Sequence, residues 1–87
     1  MSKNFWEARN EIIDALMKQR SDLAYHREAL DVFKKAYAQL DDETPDGVGD
    51  VLHDAITRET AKVASIENEI RGSERLLKEK YSLAPAC

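Results

Sequence analysis

The sequence predicts an all-α fold in which two long antiparallel helices form a helical hairpin. Two runs with helical periodicity, about residues 4–40 and 50–81, are separated by an acidic turn over 41–49 that contains proline and glycine. Acidic residues precede basic ones by four positions along both runs, as in Asp31 and Lys35, and such pairs stabilise helices. We therefore expect one domain over residues 1–87, with residues 82–87 as a flexible tail.

Helix one should start at Asn4, because Asn4 followed by Glu7 resembles a capping box. Written in heptads, this run carries apolar residues at positions a and d, the pattern of a helix that packs along one seam. Alanine recurs at the neighbouring g position, where small side chains let another helix come close. The a positions are Leu16, Leu23, Leu30 and Tyr37, and the d positions are Phe5, Ile12, Gln19, His26, Phe33 and Leu40.

Helix two repeats the heptad pattern after the turn. Thr44 and Pro45 suit an N-cap and a first helical position, although the glycines that follow predict a regular helix only from about Asp50. Its a positions are Ile56, Val63, Ile70 and Leu77, and its d positions are Leu52, Glu59, Ile66, Ser73 and Lys80.

Folding the chain about Asp46 sets Gln19 of helix one opposite Ser73 of helix two. We predict that these two polar residues form a layer that fixes the register, since sliding either helix would set a polar group against an apolar one. His26 should hydrogen-bond Glu67 or Glu69 across the pair, and Glu59 should form an ion pair with Lys34 or Lys35.

The open end of the hairpin, where both chain ends lie, has more apolar residues than a two-helix seam can cover. Such a surplus indicates an interface, and two helices this long give each other only one neighbour. We expect a homo-oligomer, a dimer that forms a four-helix bundle or coiled coil, with a different protein partner as the competing occupant. The predicted self-association interface is Phe5, Trp6, Ile13, Met17, Leu76 and Tyr81.

The turn end is strongly acidic, since no Lys or Arg lies between Lys35 and Arg58. Acids near the start of helix two favour the helix dipole, but acids at the end of helix one oppose it, so helix stability does not explain the whole cluster. One interpretation is a solubilising loop, and the other is steering toward a basic protein. The predicted acidic partner-binding tip is Asp41, Asp42, Glu43, Asp46, Asp50 and Asp54.

Composition excludes several classes of protein. With 43% hydrophobic and 34% charged residues the chain is expected to be soluble, and it has no apolar stretch for a membrane span or a signal peptide. The single cysteine, Cys87, fits a reducing compartment, so we expect a cytoplasmic protein. The sequence pI of about 5.1 and the acids interleaved with the basic stripe Arg20, Arg27, Lys34 and Lys35 disfavour nucleic-acid binding.

No residue pattern predicts catalysis, a cofactor or a metal site. His26 with Asp22, and His53 with Asp50, share a helical face, but the two histidines should lie roughly 20 Å apart along the hairpin. We therefore expect a non-enzymatic protein–protein interaction or adaptor module that self-associates. The alternative is a small acidic inhibitor, of the kind mobile elements or phages encode, that presents its tip to a basic nucleic-acid-binding or nucleotide-handling protein.

Overall fold

The computed structural model describes residues 4–81, and these form two α-helices and no strand. Helix α1 covers Phe5–Ala38 and helix α2 covers Val48–Lys80. They pack antiparallel as an extended slab of 66 × 32 × 14 Å. The predicted all-α helical hairpin is confirmed. The predicted tail over 82–87, with Cys87, lies outside the described residues.

Helix α1 begins where the sequence predicts, because Asn4 caps it. The backbone of Asn4 is extended, with φ −76° and ψ 169°, and its Oδ1 accepts a hydrogen bond of 2.8 Å from the N–H of Glu7. That bond satisfies one of the free N–H groups of the first turn. The helix ends at Ala38, two residues before the predicted end, and the N–H of Gln39 then bonds the Ala36 carbonyl at 3.1 Å.

Thr44 does not cap helix α2, so that prediction is wrong. Its Oγ1 accepts a 3.0 Å hydrogen bond from the N–H of Asp41 and donates one of 3.2 Å to Asp41 Oδ1. The hydroxyl therefore closes the turn between the helices instead of starting the second one. The N-cap is Gly47, whose φ of +92° lies in the left-handed region that favours glycine.

Helix α2 starts at Val48, before the predicted Asp50, because Gly49 is accommodated inside its first turn. A Cβ at Gly49 would lie 3.4 Å from Leu40 Cδ1, an ordinary van der Waals distance, so the start of α2 lies beside the segment that follows α1. At its other end, the N–H of Tyr81 bonds the carbonyl of Leu77 at 3.1 Å.

The hydrophobic core is a thin seam between the two helices. Leu16, Ile66 and Ile70 are buried together at 5–8% exposure, and Leu23 and Leu77 pack against them. All five are predicted a or d positions. Three other predicted seam positions are wrong, because Phe5 is 41% exposed, Tyr37 is 44% exposed and Lys80 is also exposed. They lie near the ends of the hairpin, away from the buried cluster of Leu16, Ile66 and Ile70.

Candidate interaction surfaces

The open end carries a cluster of aromatic side chains. The Phe5 and Trp6 rings meet edge to face at 5.2 Å between centroids, and Phe5 lies 5.4 Å from Tyr81 of the other helix. Yet Phe5 remains 41% exposed and Trp6 52% exposed, and Met17 further along α1 is 63% exposed. The rings are thus held in place by one another while much of their apolar surface faces solvent.

Three of the six predicted interface residues, Trp6, Ile13 and Tyr81, share one heptad position, and Leu76 occupies a different one. Trp6 and Ile13 occupy heptad position e, and Tyr81 occupies e of α2, which places them on one broad face of the slab. Leu76 occupies g, so it is half-buried on the opposite flank. Leu76 lies near the chain ends like the other predicted interface residues, but its heptad position turns it away from the face that carries Trp6 and Tyr81.

A groove beside the aromatic cluster contains a residue that the sequence reasoning missed. Its volume is about 400 Å³, and Arg9 is the unexpected member. The Nε–H of Arg9 is buried and finds no hydrogen-bond acceptor within residues 4–81, while the guanidinium lies 6.0 Å from the Trp6 ring centroid. Arg9 sits seven residues before Leu16, so the heptad frame could have identified it as a cation in the seam. The groove is lined by Arg9, Leu16, Arg20, Glu74, Leu77, Lys78 and Tyr81.

Polar side chains also form hydrogen bonds between the two helices. Ser73 donates a 3.0 Å hydrogen bond to Gln19, so the two residues of the predicted register layer do meet. Whether this layer selects the register stays a prediction.

Two arginines of the basic stripe on α1 also form ion pairs with glutamates of α2. Arg27 binds Glu67 at 3.0 Å and Arg20 binds Glu74 at 3.8 Å. Both arginine side chains are more than half exposed, so each pair contributes little to stability. The pairing does explain why basic residues recur on this face of α1.

His26 and Glu59 pair with each other, and both predicted partnerships are wrong. His26 Nδ1 lies 2.6 Å from Glu59 Oε2, and both side chains are more than three-quarters buried. Glu67 is engaged by Arg27 instead. Lys35 points outward from position f and binds Asp31 at 2.9 Å, and that hydrogen bond raises the pKa of Lys35 above its ordinary value. Two polar residues at d positions therefore satisfy each other in the seam.

The acidic turn has both structural and free carboxylates. Asp41 Oδ1 accepts a 2.9 Å hydrogen bond from the N–H of Glu43, and Asp54 binds Arg58 at 3.4 Å. The other carboxylates of the predicted tip are exposed and form no ion pair with any residue of the described range. These are Asp42, Glu43, Asp46 and Asp50.

Exposed valines stand beside these free acids, a feature that the sequence reasoning also missed. Val48 is 37% exposed and Val51 is 67% exposed. With Asp46, Gly47 and Leu52 they line a shallow, mainly apolar groove of about 480 Å³. Both valines directly follow the turn, at heptad positions g and c, which could have indicated their exposure.

Another exposed apolar area lies on α1, nearer the middle of the molecule. Tyr25 is 70% exposed and Val32 is 56% exposed. They border a groove of about 390 Å³ together with Ala29 and Phe33. The heptad frame puts Tyr25 and Val32 at c, so they were not part of the predicted interface.

The histidines do not approach each other. His53 is exposed, and the centroid of its ring lies 6.4 Å from the centroid of the Tyr37 ring. This position is far from the His26–Glu59 pair in the seam. Within residues 4–81, no three His, Cys, Asp or Glu side chains come together in a group that could hold a metal ion.

Neither described helix contains a segment long and apolar enough to cross a membrane. Comparison of the chain with models of protein families, with curated proteins and with solved structures finds no match.

Proposed function

We propose that this protein is a non-enzymatic helical interaction module that self-associates through the apolar surface of its open end. The observation that carries the proposal is the exposure of Phe5, Trp6 and Met17 at one end of a hairpin that has almost no core. Exposed apolar clusters of this kind mark interaction sites in small proteins.

The energetics favour an assembly over a lone hairpin. The buried apolar residues among positions 4–81 are Leu16, Ala55, Ile66 and Ile70, and none of them is fully enclosed. Covering a large apolar side chain contributes roughly 1.5–3 kcal/mol, so burying Trp6 and Met17 against another helix would add appreciably to such a small core. A dimer that forms a four-helix bundle is the simplest closed assembly.

The hydrogen bonds of several polar side chains support a role without catalysis, because they are structural contacts within or between the helices. The Ser73 hydroxyl donates to Gln19, and the Thr57 and Thr60 hydroxyls donate to backbone carbonyls one turn earlier. His26, whose side chain is more than three-quarters buried, is held by Glu59.

A second candidate function is supported by the acidic turn. Free carboxylates beside exposed Val48 and Val51 would suit a small acidic inhibitor that binds a basic protein, with charge guiding the encounter and the valines giving contact area. A basic partner recovered from cells, and lost when Asp46 and Asp50 are changed to Asn, would favour this function.

Self-association is tested by light scattering at micromolar concentrations. Trp6→Ala together with Ile13→Asp should move the assembly toward a 9.9 kDa monomer. The matched control is Tyr25→Ala with Ala24→Asp, which also removes an aromatic ring and adds a carboxylate on exposed α1 positions. This control should leave the assembly unchanged. A folded monomer of the unmodified protein over the whole range would contradict the proposal.

A further inference from the structure

The two ends of the molecule carry opposite net charge. The open end, residues 4–20 and 71–81, has seven Lys and Arg against five Asp and Glu, a net charge of +2. The turn end, residues 36–54, has six Asp and Glu and no Lys or Arg, a net charge of −6. With the ends separated along a 66 Å axis, one copy presents a basic surface and an acidic surface that it cannot bring together itself.

The basic surface is a shaped groove with an unused donor. Arg9, Arg20 and Lys78 line it, and Arg20 already binds Glu74. The buried Nε–H of Arg9 has no acceptor within the described residues, a costly arrangement that an incoming carboxylate would relieve by drawing the guanidinium outward. Exposed Trp6 and half-buried Tyr81 supply apolar contact area beside the cations.

The acidic surface has matching chemistry. The carboxylate of Asp46 lines the same groove as exposed Val48 and Val51. The exposed carboxylate of Asp50 lies between the two valines in the sequence. An acid next to an apolar side chain is what a groove made of arginine, lysine and aromatic rings accommodates.

We infer that the groove at the open end binds the acidic turn of a second copy of this chain. The inference rests on the proposed self-association and names the surface that the open end meets. Contact between two open ends would bring two surfaces of net charge +2 together. Contact between an open end and a turn pairs a net charge of +2 with one of −6 and offers Arg9 a carboxylate.

The contact joins unlike surfaces, so it is heterologous. In place of a closed four-helix-bundle dimer it gives an open assembly, in which each pair keeps one free groove and one free turn. Trp6 and Tyr81 occupy e positions, whereas Val51 occupies c on the opposite broad face. Two copies therefore do not satisfy both contacts mutually. The average mass should keep rising with concentration and fall with added salt, because exposed charges direct the contact.

The test uses two variants that each lose one surface. A groove variant carries Trp6→Ala and Arg9→Ala, and a turn variant carries Asp46→Asn, Asp50→Asn and Val51→Ser. Sedimentation velocity measures each variant alone and an equimolar mixture, and circular dichroism checks that both remain helical. Each variant alone should associate at least about tenfold more weakly than the unmodified protein, and the mixture should form a 1:1 pair at the original affinity.

A pair forms in the mixture because the groove variant keeps its turn and the turn variant keeps its groove. A control with Asp22→Asn and Glu69→Gln removes two exposed acids from the middle of the molecule and should associate normally. The inference is overturned if the turn variant alone associates like the unmodified protein, or if mixing restores nothing. In that case self-association through the open end still stands, whereas a monomeric unmodified protein would overturn both.

Discussion

At the residue scale, polar groups in the seam pair with one another across the two helices. Gln19 bonds Ser73, and His26 bonds Glu59 with both side chains largely covered. Unpaired polar groups at these positions would lose water without replacement, which costs about 1–3 kcal/mol each. We expect such layers to give less stability than leucine would while penalising alternative registers.

Replacing both members of the Gln19–Ser73 layer tests this balance. The double variant Gln19→Leu with Ser73→Ala removes donor and acceptor together, so no unpaired group remains and apolar burial increases. We expect the midpoint of thermal unfolding, followed by circular dichroism, to rise by a few degrees, about 1 kcal/mol. A lower midpoint would mean that the hydrogen bond stabilises the hairpin more than the added apolar burial does.

At the element scale, the turn is set by one glycine conformation and one threonine hydroxyl. Gly47 adopts φ +92°, and Thr44 bonds Asp41 through both its backbone and its side chain. These contacts allow α2 to start at Val48, beside the end of α1. The backbone of Gly72, by contrast, lies within α2, where glycine has no conformational role.

These two glycines give a matched prediction. A Cβ would meet nothing within 4 Å at either position, so only the backbone conformation differs. Gly47→Ala should lower the free energy of unfolding by about 1–2 kcal/mol because alanine is strained in the left-handed region. Gly72→Ala should raise it by about 0.5–1 kcal/mol because alanine favours the helix. Urea titration of both variants measures the difference, and equal effects would show that the turn adopts another conformation in solution.

At the scale of the whole molecule, the hairpin is extended and its core is small. Its radius of gyration is 19.5 Å, whereas a compact domain of this length would have about 12 Å. Within the described residues, the large apolar side chains Phe5, Trp6 and Met17 therefore remain 41–63% exposed. Stability and assembly should be coupled for this reason.

This coupling predicts that thermal stability depends on protein concentration. Association that requires folded hairpins stabilises them by mass action, so the unfolding midpoint should rise over about a hundredfold range of concentration. The groove variant with Trp6→Ala and Arg9→Ala should show a smaller rise. A midpoint that is independent of concentration for the unmodified protein would indicate that the hairpin is stable by itself.

The sequence by itself determined the two helices, the position of the break, and the seam of Leu16, Leu23, Ile66 and Ile70. Helical periodicity fixes the direction in which each side chain points, and proline and glycine interrupt it locally. The sequence also placed exposed aromatic residues at the open end and the acids at the turn.

Only the tertiary structure decided which groups meet across the seam. It paired His26 with Glu59 and left the buried Nε–H of Arg9 without an acceptor among the described residues. Periodicity gives the angle of a residue around its own helix, but contacts between helices also depend on their axial offset and relative rotation. Those two quantities result from the sum of all contacts along the hairpin, so no local pattern specifies them.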